Sequence, residues 1–312
     1  VVLLKSEIVI NAKKSCKIDR KIFGHFIENM ARCIYGGLLE NQRPGWVGGP
    51  WKIREGIIPA IKEMKPPVIR WPGGLYADGY NWRDGIGPKE ARPLRRNRYW
   101  SRYGTFTRVL DPNWFGTHEY MEFIEEVDAI PYINVNFGTG SALEASYWVE
   151  YMNGDAKTLE GGRRLENGRE KPWGVELWGI GNEMYGFWAL GHSSAREYAL
   201  RYSEFTRAML EKDRNIKFVA VGCDHYFNKR WNKEFLESAP DQVNYLSIHI
   251  YLPGPERALE VMASRIFSGD GGVYRAIVAA PHEIERRLKD CAHDIKEVRG
   301  DDGIRIALDE WN

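Results

Sequence analysis

Cysteine is scarce in this 312-residue sequence, and the four present, Cys16, Cys33, Cys223 and Cys291, are scattered with no CxxC among them. That spacing offers no zinc knuckle and argues against a disulfide framework. No apolar run is long enough to span a bilayer, and no signal-peptide pattern opens the chain. An excess of one charge is missing too: 44 Lys and Arg against 43 Asp and Glu leave a formal net charge of +1. Such a balance gives no general attraction to nucleic acid or to an acidic membrane. The expected location is cytoplasmic, with a trimmed leader as the alternative because residue 1 is Val.

What is present points to a globular protein. Hydrophobic residues make up 43% and charged residues 28%, a composition that excludes disorder and, at this length, fits one large α/β domain. Twelve Trp and sixteen Tyr exceed the needs of a core of this size. Stacking on sugar rings or bases is one use for the surplus, and aromatic-rich packing is the other.

Two stretches share one shape. Glu176-Leu177-Trp178-Gly179-Ile180-Gly181-Asn182-Glu183 and Ile304-Arg305-Ile306-Ala307-Leu308-Asp309-Glu310 each begin as an apolar run and end on an acid. A buried strand reads this way when its C-terminal tip opens into a site. Around them, strand-like and helix-like segments alternate about seven times. Residues 22–28 read as a buried strand ending on Glu28, 68–71 as a strand closed by Gly73-Gly74, and 131–137 as the next. Strands over 217–222 and 245–251 complete the series. The helices fall near 53–64, 117–128 with Thr117 as N-cap, 141–153 and 230–238. Another starts at the Ser194-to-Glu197 capping box and buries Tyr198, Tyr202, Phe205 and Met209. In a last long helix, Ile284, Leu288, Cys291, Ile295 and Val298 recur at helical spacing, so Cys291 is expected to pack.

Residues 72–112 have no period, and 154–172 read as a solvated loop. Within 92–108, six arginines interleave with Tyr99, Trp100, Tyr103 and Phe106. That mixture suits single-stranded nucleic acid or, more in keeping with the balanced charge, a rim loop or subunit contact. Alternation of this kind implies a parallel sheet with right-handed crossovers. Polar residues at nearly every strand tip (Glu28, Arg70, Asn136, Glu183, Tyr251, Glu310) fit a closed barrel better than an open sheet.

Two strand-tip glutamates suggest an acid and a nucleophile. Cleaving a glycosidic bond needs one carboxyl to protonate the leaving oxygen and another to attack or stabilise the anomeric carbon. Burial and a nearby negative charge would raise the acid's pKa, while Arg70 and Tyr251 would hold the nucleophile ionised. A strand-tip Glu is also a common ion-pair partner, which is the plain alternative.

Several motifs, in order along nearly the whole chain, resemble glycoside hydrolase family 51. They are Phe23-Gly24-His25-Phe26-Ile27-Glu28, Arg70-Trp71-Pro72-Gly73-Gly74, Gly79-Tyr80-Asn81-Trp82, Gly138-Thr139, Gly181-Asn182-Glu183-Met184, Ser247-Ile248-His249-Ile250-Tyr251 and Asp309-Glu310-Trp311-Asn312. Trp188 with Gly191-His192 fits the stretch after the Asn-Glu pair. The resemblance implies a retaining, exo-acting α-L-arabinofuranosidase on a (β/α)8 TIM-type barrel, with the acid/base after strand four and the nucleophile after strand seven. By position, Glu183 would be the acid/base and Glu310 the nucleophile. Asn182 would bond the sugar 2-hydroxyl, and Glu28 would hold the furanose from the opposite side. Arg70 and Tyr251 would position Glu310, with His249 nearby. Asn81, Trp82 and Trp188 would be wall or rim residues.

Two departures shape the expectation. The family usually has Asn after the tandem glycines, where this chain has Leu75, so a related glycosidase acting on xylosides or β-glucan is the nearest rival. Family members also continue past the nucleophile into an eighth strand and a β-sandwich. The expected organisation is therefore 1–20 as a strand of that sandwich and 21–312 as a barrel ending at strand seven. A second polypeptide, or the rest of a longer chain, would carry the remainder, and the resemblance implies an oligomer, as family members often form them. The expected partners are arabinose-containing oligosaccharides or polysaccharides, with no metal or organic cofactor. A carbohydrate-binding protein without turnover is a rival of another class. A metal-dependent hydrolase using Asp224, His225 and His249 is a third, though their spacing matches no ligand motif.

Overall fold

The computed structural model describes residues 9, 17–43, 45–103, 110–252, 255–300 and 303–311. Seven parallel strands form one sheet in sequence order: β1 (His25–Phe26), β2 (Val68–Trp71), β3 (Ile130–Val135), β4 (Leu177–Ile180), β5 (Lys217–Val221), β6 (Tyr245–Ile250) and β7 (Arg305–Trp311). The sheet curls until its edge strands come near each other, and an Arg305–Asp19 ion pair at 3.7 Å crosses the gap. The result is a nearly closed barrel. Helices cover the outside: α1 (Ile57–Met64), α2 (Thr117–Val127), α3 (Ala142–Asn153), α4 (Leu159–Glu166), α5 (Ala195–Leu210), α6 (Trp231–Ser238) and α7 (Pro255–Arg299). Strands walled in on both faces need continuous apolar runs, and every residue of β2 is buried.

The strand pleat divides the sequence between two layers. Outward residues such as Trp71, Ile133, Trp178 and Ile248 join the large core under the helices. Inward residues Val68, Tyr132 and Val219, with Leu177, Tyr245 and Ala307 against them, make a second, smaller apolar cluster inside the barrel. Two residues further along the same strands, the inward positions become Arg70, Asn134, Ser247 and Asp309. The barrel is thus apolar at one end and charged at the C-terminal end.

Some local expectations change. Residues 22–28 are not one buried strand: a 3-10 turn, Arg20–Phe23, leaves Ile22 and Phe23 exposed, and the strand is only His25–Phe26. The N-cap of α2 is Gly116, and Thr117 instead accepts a hydrogen bond from the Trp148 indole at 3.2 Å. The stretch 154–172 contains α4, whose Arg164 is fully buried because its guanidinium donates to the Tyr151, Arg169 and Glu170 carbonyls. Within 72–112 lie short 3-10 turns and a strand pair, Arg95–Arg96 with Leu110–Asp111. The Ser194–Glu197 capping box is formed, and Cys291 is buried. The strand expected around Ile8 and Ile10, and Cys16, lie outside the described residues.

Candidate active site

At the charged end of the barrel, β2, β4, β6 and β7 converge on one hydrogen-bonded cluster. Arg70 stands at its centre, clamped between the Phe26 and Tyr132 rings at 5.4 and 5.6 Å. Its Nη1 donates to Glu310 Oε1 at 2.6 Å and its Nη2 to Asn182 Oδ1 at 2.7 Å. The Tyr251 hydroxyl donates to the other Glu310 oxygen at 2.8 Å. Glu310 is therefore held at both oxygens.

Glu183 sits just past β4 in a left-handed backbone conformation, φ +48°, which is rare for a residue with a side chain and clusters at functional sites. Its Oε2 accepts the Trp188 indole N–H at 2.6 Å, and His249 Nδ1 lies 2.9 Å from its Oε1. The same ring nitrogen is 3.5 Å from Glu310 Oε2. One oxygen of each glutamate and one His249 nitrogen all lie within 4.8 Å of one another.

The charges explain the protonation. Burial alone would strip His249 of its proton, but the charge of Glu310 and hydrogen bonds to Asp309 and Glu183 push its pKa up to about 10. Burial raises the Glu183 carboxyl, yet the hydrogen bond and charge of His249, with Trp188 and Arg70, hold it below the ordinary glutamate value. The sequence expectation of a raised acid is thus corrected: the neighbouring His249 lowers the Glu183 carboxyl against the effect of burial. These three residues have donor atoms for a cation, which would have to displace the imidazole proton to reach the ring nitrogen. Their arrangement is that of a hydrogen-bonded ion cluster.

Glu28, at the end of β1, accepts the Tyr76 N–H at 2.7 Å. Burial, then the charge of Glu310, push it up to about 7. The tandem glycines make this approach possible. A Cβ on Gly73, whose φ is +151°, would stand 2.5 Å from Glu28 Cγ, and one on Gly74 would stand 2.3 Å from Glu310 Oε1. Bare backbone is what fits between the two acids.

Of the ten residues singled out from sequence, the structure brings Glu183, Glu310, Glu28, Arg70, Asn182, His249, Tyr251 and Trp188 to one place. Two lie elsewhere. Trp82 is buried in the core, stacked on Trp148 at 5.9 Å with its N–H on the Glu144 carbonyl, so it is no pocket wall. Asn81 caps the turn at Arg83 and lines a separate cavity of about 460 Å³ with Arg98, Asn136 and Tyr147. Asp224 and His225 do not join His249; they bind Arg287 and Asp294 of α7.

Other participants had escaped notice. Asp309 accepts the Ser247 hydroxyl at 2.6 Å and the Tyr132 hydroxyl at 2.9 Å, and faces His249 Nε2 at 3.3 Å. Burial raises its carboxyl, but Arg70, His249 and Ser247 hold it well below the usual range. A bulge explains how neighbours Asp309 and Glu310 both face inward: Ile248 pairs with Leu308, and His249 already with Glu310. Asp78, fully buried, accepts the N–H groups of Phe137, Gly138 and Asn182 at 3.1, 2.9 and 3.1 Å. It ties the end of β3 to the end of β4. Its only sequence signal was an acid inside an aperiodic loop.

Comparison with known proteins decides the family. A family model described as "Alpha-L-arabinofuranosidase 1 domain" matches residues 60–260. The chain belongs to this family, within glycoside hydrolase family 51. It is 31% identical over 312 residues to the "Intracellular exo-alpha-(1->5)-L-arabinofuranosidase 1" of Bacillus subtilis (strain 168), covering 99% of this chain and 58% of that protein. To a "Probable alpha-L-arabinofuranosidase C" of Aspergillus clavatus it is 35% identical over 277 residues, with coverage of 82% and 53%. The thermostable GH51 alpha-L-arabinofuranosidase structure from Thermotoga petrophila RKU-1 superposes with a TM-score of 0.79 at 38% identity, covering 95% of this chain and 56% of that one. For the family 51 alpha-L-arabinofuranosidase of Bifidobacterium longum the TM-score is 0.82 at 27% identity, with 97% and 58% covered. The family 51 chain described here therefore spans a little over half the length of the relatives it matches. Among its described residues no helix is long and apolar enough to cross a membrane.

Proposed function

We propose that the protein to which this chain belongs is a retaining, exo-acting α-L-arabinofuranosidase. It releases terminal arabinofuranose from arabinan, arabinoxylan or their oligosaccharides. One observation carries the reading: acid oxygens of Glu183 and Glu310 lie within 4.8 Å across a shared imidazole. Retaining enzymes place their carboxyls roughly 5–5.5 Å apart, and inverting ones need roughly 6.5–9.5 Å to fit a water.

In this mechanism Glu183 takes the His249 proton and passes it to the leaving oxygen. Glu310, steered by Arg70 and Tyr251, attacks the anomeric carbon. Water then cleaves the resulting ester with Glu183 as base, and the proton that Glu183 takes from the water returns to His249. Asn182 supports the 2-hydroxyl. Arginine is donor-only, so the Asn182 amide oxygen must face Arg70, and its buried Nδ2 has no partner among the described residues. No residue role calls for a metal or organic cofactor.

The relatives' greater length supports a remainder, with the last barrel strand and a β-sandwich, supplied by a longer chain or a second polypeptide. The names of two relatives, both "intracellular", favour a cytoplasmic enzyme. The test is kinetics of the complete protein on a nitrophenyl α-L-arabinofuranoside. Glu183→Ala should be rescued by azide with a retained azide product. Glu310→Ala should lose nearly all turnover. Full activity in either variant ends the assignment.

A further inference from the structure

The loop after β4 and the loop after β5 together carry a ridge of aromatic rings leading away from Glu183. Trp188, bonded to Glu183 through its indole N–H, meets the Phe187 ring at 5.1 Å and the Phe227 ring at 5.4 Å. Phe227 in turn stacks on Tyr185 at 5.8 Å and meets Tyr226 at 5.0 Å. Beneath the ridge, Tyr185 rests edge-on against the buried Trp231 at 5.8 Å. This foundation fixes the ridge, yet Phe187 is 82% exposed, and Tyr226 and Phe227 are 45% and 43% exposed. Folding gains almost nothing from a phenyl ring left in water. One largely exposed ring and two half-exposed ones, contiguous with the acid, make a surface shaped for something flat and partly apolar.

From these rings we infer that the ridge is a stacking platform for a pyranose ring of the leaving group, so that the site favours arabinofuranose borne on a pyranose backbone such as xylan. The inference rests on the proposed roles of the two glutamates. Glu183 protonates the leaving oxygen, so whatever that oxygen carries lies on the Glu183 side, where the ridge begins. A chair pyranose with equatorial hydroxyls presents axial C–H groups as an unbroken apolar face, which suits an aromatic ring. The puckered furanoses of arabinan present a smaller and less regular face. Aromatic contacts of this kind are individually modest, so the ridge sets preference between substrates and leaves the bond-breaking step to the carboxylates.

Phe187→Ala is the probe, with Phe187→Trp as the variant that keeps a stacking face; the exposure of residue 187 makes either change mild for folding. In the complete protein, the ratio of kcat/KM for arabinosylated xylotetraose to that for arabinotetraose should fall about five- to tenfold in Phe187→Ala. Phe187→Trp should restore it. Binding of unsubstituted xylotetraose, followed by Trp fluorescence, should weaken by a similar factor in Phe187→Ala. That measurement needs no turnover, so loss of binding in a protein that cleaves no arabinofuranoside would uphold the platform while the enzymatic reading fell. An unchanged ratio together with unchanged xylotetraose affinity would overturn the platform. A shift of Phe187→Ala to a smaller species in light scattering, with the ratio unchanged, would also overturn it and assign the ridge to contact between copies.

Discussion

Around Glu183 and Glu310, and again around Asp224 and His225, the C-terminal ends of the strands gather buried acids, a histidine and an arginine. In the second cluster every charge closes on a neighbour: Arg287 binds Asp224 and Glu283, and His225 binds Asp294 at 2.5 Å. All the partners belong to α7 or face it, so the cluster pins that helix to the tip of β5. In the first cluster the charges are not matched one to one. Glu183 holds a strained backbone, Asn182 has an amide nitrogen with no partner among the described residues, and two carboxylates share one imidazole. Similar residue types form an anchor where each charge is matched by a partner on α7, even with Asp294 Oδ1 accepting no hydrogen bond, and a candidate reaction centre where two carboxylates compete for one imidazole beside a strained backbone.

Substitutions can break or sharpen that contrast. On the proposed mechanism the largest effect should come from Glu310→Ala, which would remove the covalent route and abolish turnover; Glu183→Ala should lose about 10²–10⁴-fold in kcat on a poor leaving group. Neither should alter α7. Arg287→Ala should do the reverse: it strands Asp224 as a buried unpaired charge, costing about 3–5 kcal/mol in urea unfolding, with turnover per folded molecule retained. Loss of turnover without loss of stability in that variant would erase the distinction between the clusters.

Glu28 should reveal itself through pH. Its folded pKa, about 7, lies above the ordinary 4.5, so the folded state binds the extra proton and stability falls as pH rises from about 4.5 to 7. Glu28→Gln should flatten that decline, worth about 3 kcal/mol at most. Thermal melts of both proteins from pH 4 to 8 would show it, and parallel curves would refute it. The smallest effect should come from Gly74→Ala. The added methyl meets Glu310, and displacing it by an ångström should lower kcat about a hundredfold, roughly 2.7 kcal/mol, while Glu183 stays in place.

Much of this was readable from the sequence. Alternating segments gave the parallel barrel, and acids at strand tips gave Glu183 and Glu310, because burial on both faces and a polar opening leave periodic marks. What escaped had no period. Asp309 hid because strict alternation turns it away from its neighbour Glu310, and only a bulge brings both inside. Asp78 works by bonding three backbone N–H groups, a task that leaves no pattern in side chains. Trp82 erred in the opposite direction: its motif located the loop but not the direction of the ring, and the core claimed it. The Arg164 carbonyl contacts likewise turned an apparently solvated segment into a packed helix.

The bulge in β7 carries one more implication. Were the strand to pair one step out of phase, Asp309 would occupy the slot opposite His249 and Glu310 would swing toward the helices. An acid would still face the cluster, but it would be a methylene shorter than the nucleophile that the proposed mechanism needs. A misregistered molecule would therefore look nearly native and be inert, so assays counting working sites, rather than folded mass, are the ones that could detect it.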